Sequence, residues 1–202
     1  MKGHSFYSLI GSLISLIVVT SCASFPNRVP PSPINKTNLI NLNGTYSLKH
    51  NHAASTTDST SMWYSSEAEL SPNYTFFDEL NNGVFVKSIK IDTSKQYTFF
   101  LKILNSNKMQ LDYHENDSII RSNKIRYSLR NDGYVYLHHR NFKIIGIPYL
   151  FGGFHKKRNR LTLTLEQNLH FETSEFMSGG IFLLKVVPLN KSKYQKIYKR
   201  VN

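Results

Sequence analysis

The sequence predicts an all-β protein: an antiparallel up-and-down β-barrel of about eight to ten strands, with a short helix inserted after strand 1 and a second short helix at the C-terminus. Three observations predict it. From Leu42 onward apolar side chains recur with a period of two over short runs, the pattern of half-buried antiparallel strands. The runs are joined by tight turn chemistries, Asn105-Ser106-Asn107-Lys108, Glu115-Asn116-Asp117-Ser118, Asn131-Asp132-Gly133 and Glu166-Gln167-Asn168, which link neighbours in a meander. About ten such runs are present, a number that closes naturally into a barrel.

The first strand is read over 42–48. The polar, Ser/Thr-rich stretch from His50 to Ser61 reads as a loop. Ser71 then suits a helix N-cap, Pro72 the first helical position and Gly83 the residue beyond the end, which predicts a short helix over Asn73–Leu80. Strands follow over 84–91 and through Tyr97, Phe99, Leu101 and Ile103, then Met109, Leu111 and Tyr113, then Ile125, Tyr127 and Leu129. Further strands are read over 134–139, 142–150, through Leu161, Leu163 and Leu165 pointing inward, and over 169–176 and 181–187, with Met177-Ser178-Gly179-Gly180 as the last hairpin turn. Tyr194, Ile197, Tyr198 and Val201 recur at helical spacing among Lys191, Lys193, Lys196, Lys199 and Arg200. That spacing predicts a basic amphipathic helix, packed on the barrel wall or lying on anionic head groups.

Three segments result: 1–21, 22–40 and a single barrel domain over 41–202. In the first, one charge at Lys2 precedes an apolar run from Leu9 to Val19, too short for a membrane span of roughly 20 apolar residues. It ends on Val19-Thr20-Ser21-Cys22, which resembles the lipobox of a bacterial lipoprotein precursor. The resemblance implies that residues 1–21 are a removed signal peptide, that Cys22 is lipidated, and that the chain is membrane-anchored in the bacterial envelope. Four prolines within residues 23–40 predict an extended tether that spaces the domain from the membrane. In some lipoproteins an acidic run after the cysteine accompanies export to the surface. Its absence here favours the outer membrane and a periplasm-facing position.

Cys22 is the only cysteine in 202 residues, so no internal disulfide or thiolate metal cluster is available. The chain carries +12, and removal of residues 1–21 takes away only Lys2, leaving +11. A basic exported protein meets anionic lipids or acidic glycans rather than nucleic acid, unless its basic surface is simply solvated. No nucleophile elbow, zinc-protease helix or phosphate-binding glycine loop is present, so no catalytic residue, cofactor or enzymatic role is assigned. The close histidine sets, His50/His52 and His138/His139, lack a third ligand for a metal.

Leu42-Asn43-Gly44-Thr45-Tyr46-Ser47-Leu48 looks like the Gly-x-Trp first strand of the calycins, the lipocalin and fatty-acid-binding-protein superfamily, with Tyr46 where the family has Trp. The order of first strand, helical insert and long meander resembles the fatty-acid-binding branch. No clear copy of that branch's Arg-x-Tyr carboxylate-binding motif is found. The resemblance implies a calycin-like barrel, and two functional readings stay open. In one, the barrel binds an apolar or amphipathic small molecule, with Tyr97, Phe99, Tyr134 and Tyr136 as wall and Phe76, Phe77 and Leu80 as lid. In the other, a filled barrel without ligand serves as a structural or adaptor component of an envelope complex.

The anchor is open to direct test. Cys22→Ser is expected to leave the chain unprocessed or release it from the membrane fraction, and the unsubstituted chain to incorporate a palmitate analogue. A chain with Cys22 that never takes up the label has no lipid anchor.

Overall fold

The computed structural model describes residues 25–26, 28–59, 74–81, 87–138, 142–147, 151–181 and 185–201. The expected signal peptide and Cys22 lie outside them, as do Ser71, Pro72 and Asn73. Among the described residues, eleven strands form one antiparallel sheet: β1 (Gly44–Ser47), β2 (His52–Ser59), β3 (Tyr97–Asn105), β4 (Lys108–Glu115), β5 (Ser118–Leu129), β6 (Val135–His138), β7 (Phe142–Ile147), β8 (Phe151–Leu163), β9 (Leu169–Ile181), β10 (Lys185–Tyr198) and β11 (Arg200–Val201). The hydrogen-bonded path runs β11-β1-β3-β4-β5-β6-β8-β9-β10-β2, with β7 paired to β8 off it. Its two ends are not independent edges. β2 follows β1 after residues 48–51 and β11 follows β10 after Lys199, so both terminal pairings belong to one interrupted ribbon. Ser47 N–H to Lys199 O (2.8 Å) and Asn51 N–H to Ile197 O (2.9 Å) bridge the interruption. The sheet thus curls into a barrel with a broken seam rather than a continuously closed cylinder.

Alternation decides what lies inside. Phe99 and Leu101 of β3, Met109, Leu111 and Tyr113 of β4, and Leu161 of β8 are fully buried in one cluster with Tyr46, Phe171 and Tyr198. The expected all-β antiparallel meander is therefore the architecture. Leu165 is corrected: it sits beyond the end of β8 and is 74% exposed, because the strand stops at Leu163 before the turn.

Other expectations are corrected as well. The C-terminal segment is strand, not helix, because β10 is paired on both sides, to β9 from Lys185 to Tyr198 and to β2 from Asn190 to Ile197. Two ladders outweigh the local helical spacing, which a short isolated helix has little means to enforce. The Ser/Thr-rich stretch read as a loop supplies β2, since Thr suits a strand once a partner is present. The insert therefore follows β2. Its helix, α1, is Phe76–Leu80, capped by Thr75: the Thr75 hydroxyl accepts from Asp78 N–H and the Asp78 carboxylate accepts from Thr75 N–H. Met177 to Gly180 lie within β9 rather than in a turn. Residues 87–91 carry no strand, and 84–86 lie outside the described residues.

The proline-rich segment is a strap rather than a free spacer. Arg160 donates to Pro26 O (3.3 Å) and lies over the Phe25 ring (4.3 Å), and Phe25 meets Tyr136 edge-on (5.7 Å). Ser32 bridges to Leu163 and accepts from the Thr162 hydroxyl (2.7 Å), while Ile34 is 2% exposed and donates to Gly133 O (2.9 Å). Gly133 has φ +81°, and a Cβ there would stand 2.8 Å from Pro33, so the strap can lie flat only against glycine. Proline suits the role because it lacks an N–H that would otherwise need a partner in the stretches between the strap's few backbone contacts.

Leu161→Ala is expected to cost about 2 to 5 kcal/mol in denaturant unfolding, and Leu165→Ala no more than about 0.5 kcal/mol. Equal costs would contradict the inward parity of β8.

Candidate functional site

The inward rows of β8, β9 and β10 change character midway along the barrel. On β8 the row reads Leu163, Leu161, Asn159, Lys157, His155; on β9 it reads Leu169, Phe171, Thr173, Glu175; on β10 it reads Tyr198, Lys196, Tyr194, Ser192. The lower storey is apolar and aromatic. The upper storey is a buried chamber of charged and hydroxyl groups: Lys157, Lys196, Glu175 and Ser192 are each at most 4% exposed.

α1 enters this interior and joins the two storeys. Its first residue, Phe76, stacks on Phe99 with ring centroids 4.1 Å apart and planes 6° from parallel, and meets Phe171 and Tyr198 edge-on at 5.4 and 5.0 Å. Phe77 meets Tyr113 edge-on (5.1 Å). Glu79, three residues after Phe76, rises into the chamber with no exposure at all. Lys196 Nζ donates to Glu79 Oε1 (2.5 Å), Lys157 Nζ to Oε2 (3.1 Å) and the Tyr194 hydroxyl to Oε2 (2.9 Å). Lys157 also meets Glu175 Oε1 (3.0 Å), while His155 Nε2 stands 3.7 Å from Glu175 Oε2. Both ammonium groups face aromatic rings: Lys196 lies 4.6 Å from the Tyr74 centroid and Lys157 5.3 Å from that of Tyr194.

Two lysines are thus answered by two glutamates in a space without water-exposed walls. Each buried ion forfeits several kcal/mol of hydration, which this mutual pairing helps to offset. Burial works to raise the Glu175 carboxyl, but the attraction of Lys157 and then His155 outweighs it and holds the group at about 2. Beside the chamber, burial first and then the charge of Glu79 push the Tyr198 phenol well above its usual range, and burial pushes up Tyr113. The hydroxyls of Tyr113 and Tyr198 are buried and make no hydrogen bond with any of the described residues.

The residues singled out from sequence fall into two places. Phe76, Phe77, Leu80, Tyr97 and Phe99 come together in the interior, but Phe76 and Phe77 pack inside as a plug rather than over the mouth as a lid. Tyr97 lies at the rim, donating to Glu115 Oε2 (3.2 Å). Tyr134 and Tyr136 do not join them. β6 turns Val135 and Leu137 inward, paired with Leu161 and Asn159, so Tyr136 faces the outer wall with its partner Arg160. Tyr134 donates to Glu172 Oε1 (3.1 Å) under the Arg160 guanidinium (3.6 Å), and Arg160 Nη2 pairs with Glu172 Oε2 (2.7 Å), so both tyrosines hold the strap.

Glu79 and Glu175 fell inside the expected helix and the expected strand over 169–176 without being assigned to a site, Tyr194 and Lys196 were assigned to a helix, and Lys157 lay before the expected strand through Leu161, Leu163 and Leu165. The signal was present. Counting back in twos from Leu163 gives Lys157, and counting on from Leu169 gives Glu175. Among the described residues no group of three His, Cys, Asp or Glu side chains is placed to hold a metal ion. Comparison of the chain with protein-family models, with curated proteins and with solved structures gives no match.

The Glu175 carboxyl sits below its unfolded value of 4.5, so its stabilisation is complete above that value and is lost as pH falls toward about 2. The gap in melting temperature between the unsubstituted chain and Glu175→Gln is therefore expected to narrow steadily from pH 5 to pH 2. A gap that stays constant would mean that Glu175 is not ionised in the chamber.

Proposed function

We propose that this protein is a lipid-anchored lipoprotein of the bacterial envelope whose barrel binds an amphipathic acid, a molecule with an oxyanion head and an apolar body, in exchange for its own plug. The observation that carries this reading is the way α1 occupies the interior. Glu79 presents a carboxylate to two lysines and a tyrosine hydroxyl, and Phe76, one turn away, presents an apolar group to an aromatic slot. The plug offers the chemistry of such a ligand, and with α1 withdrawn the site keeps Lys196 beside the Lys157–Glu175 pair over an apolar floor.

Energetics support the exchange. Apolar replacements of buried ion pairs are often neutral or stabilising, so four interior charges are costly furniture for a barrel that serves only as a scaffold. A five-residue helix has little stability of its own, and segments of low local stability are the ones that move. The calycin-like resemblance of Gly44–Tyr46 agrees with an interior site. At that triplet Arg200 lies over the Tyr46 ring (5.4 Å) and donates to the carbonyls of Asn41 and Asn43, where a Cβ on Gly44 would obstruct it. The second reading, a ligand-free adaptor, is favoured by one observation, the tight stack of Phe76 on Phe99.

A dansyl-labelled undecanoic acid distinguishes them. Saturable binding is expected, weakened roughly tenfold or more by Lys196→Met and strengthened by Phe76→Ala, which loosens the plug without touching the cations. A flat titration for both the unsubstituted chain and Phe76→Ala, each folded by its melting curve, would leave the adaptor reading.

A further inference from the structure

A buried tyrosine hydroxyl needs a hydrogen-bond partner, and in this barrel most have one. Of the eight tyrosines buried among the described residues, six donate: Tyr46 to Leu42 O (2.9 Å), Tyr127 to Asn105 O (2.6 Å), and Tyr97, Tyr134, Tyr136 and Tyr194 to carboxylates. Tyr113 and Tyr198 do not. Both are 0% exposed, and neither hydroxyl meets a partner among the described residues. Phenylalanines would fill the same space without the cost of stripping a hydroxyl of water.

Their positions are as particular as their lack of partners. Tyr113 on β4 and Tyr198 on β10 stand on inward rows close to Phe99, with ring centroids 6.4 and 6.0 Å from it. α1 covers both with carbon. Phe76 meets Tyr198 edge-on at 5.0 Å and Phe77 meets Tyr113 edge-on at 5.1 Å, so the two phenylalanines of the plug lie against the two unanswered tyrosines. The same plug answers the donors above it, since Glu79 meets Lys157, Lys196 and the Tyr194 hydroxyl. It matches the site in its acid and its apolar bulk and differs in one place, where two hydroxyls border the volume its rings fill. Burial pushes both phenols above their usual range, so they stay protonated donors at physiological pH. Tyr198 is two residues beyond Lys196 on the same face of β10, a step of about 7 Å, which sets it beside the body of a bound acid rather than its head.

We propose that the molecule exchanging with α1 is an oxygenated amphipathic acid, whose apolar body carries a hydroxyl or carbonyl oxygen that accepts hydrogen bonds from Tyr113 and Tyr198. The inference rests on the plug exchange proposed above, and its test separates the two. The unsubstituted chain and Phe76→Ala are loaded with the dansyl-labelled undecanoic acid, which is then displaced by stearic acid or by monohydroxystearic acids with the hydroxyl on carbons five to nine in turn. At least one hydroxylated acid is expected to displace the probe at a concentration about tenfold or more below that of stearic acid, a margin set by two hydrogen bonds to otherwise unpaired donors. Tyr113→Phe and Tyr198→Phe are each expected to cut that margin to about threefold or less, and to melt without ligand at the unsubstituted temperature or above it, because the lost hydroxyl leaves no partner behind. A panel in which no hydroxylated acid outperforms stearic acid, or a margin that survives both substitutions, would overturn the oxygen subsite and leave the acid site standing. A clear fall in ligand-free melting temperature in both variants would do the same, since the hydroxyls would then have structural partners. A probe that binds neither chain would overturn the exchange, and the oxygen subsite with it.

Discussion

Glu79 has no access to water, so its charge has to be answered inside the barrel, and the remaining interior architecture follows from how it is answered. Its two oxygens take up Lys196 on β10, Lys157 on β8 and the Tyr194 hydroxyl, and the second carboxylate, Glu175, balances Lys157. The cluster ties three consecutive strands to a helix that has only five residues of its own. It also sets how deep that helix enters, and therefore where Phe76 meets Phe99. An apolar residue at position 79 would leave Lys196 without the carboxylate it meets there, a loss larger than the missing contact alone because a buried charge left without its partner is strongly destabilising.

How far the sequence could be read depended on whether local pattern or pairing decided the outcome. Leu161 and Leu163 announced their face because an apolar row next to a polar row is unambiguous. Lys157 and Lys196 hid theirs, since a charged inward residue looks like the solvent face until the phase of the strand is carried through it. The segment around Tyr194 and Tyr198 satisfied a helical spacing as well as an alternating one, and only the neighbours β9 and β2, distant in sequence, choose between them. His52–Ser59 is the converse case, a polar stretch made into strand by β10. Tyr134 and Tyr136 were recognised as buried aromatics but assigned to the wrong side, because parity on β6 is set by Val135 and Leu137.

The strap has a similar lesson. Four prolines do describe an extended chain, yet extension does not imply detachment. Here the extended segment finds a wall made to fit it, with Gly133 cleared of a side chain and the Arg160–Glu172 pair roofed by Phe25. The same outer wall turns Lys156 and Arg158 away from a chamber that holds Lys157, so one strand distributes its cations between two compartments by parity alone. Buried carboxylates answer cations on both sides, Glu175 meeting Lys157 inside and Glu172 meeting Arg160 outside.

The broken seam bears on the order in which the barrel folds. Thr45 pairs with Val201 and Tyr46 with Arg200, so the first strand finds its outer neighbour more than 150 residues further along the chain. Contacts so distant in sequence close late, because the entropy of the whole intervening loop is spent before they return anything. A chain delivered N-terminus first therefore holds β1 with one open edge until Arg200 has emerged, crosses the Tyr46 ring and binds the carbonyls of Asn41 and Asn43. Without Arg200 and Val201, β1 would keep an unpaired edge, the kind that recruits other chains.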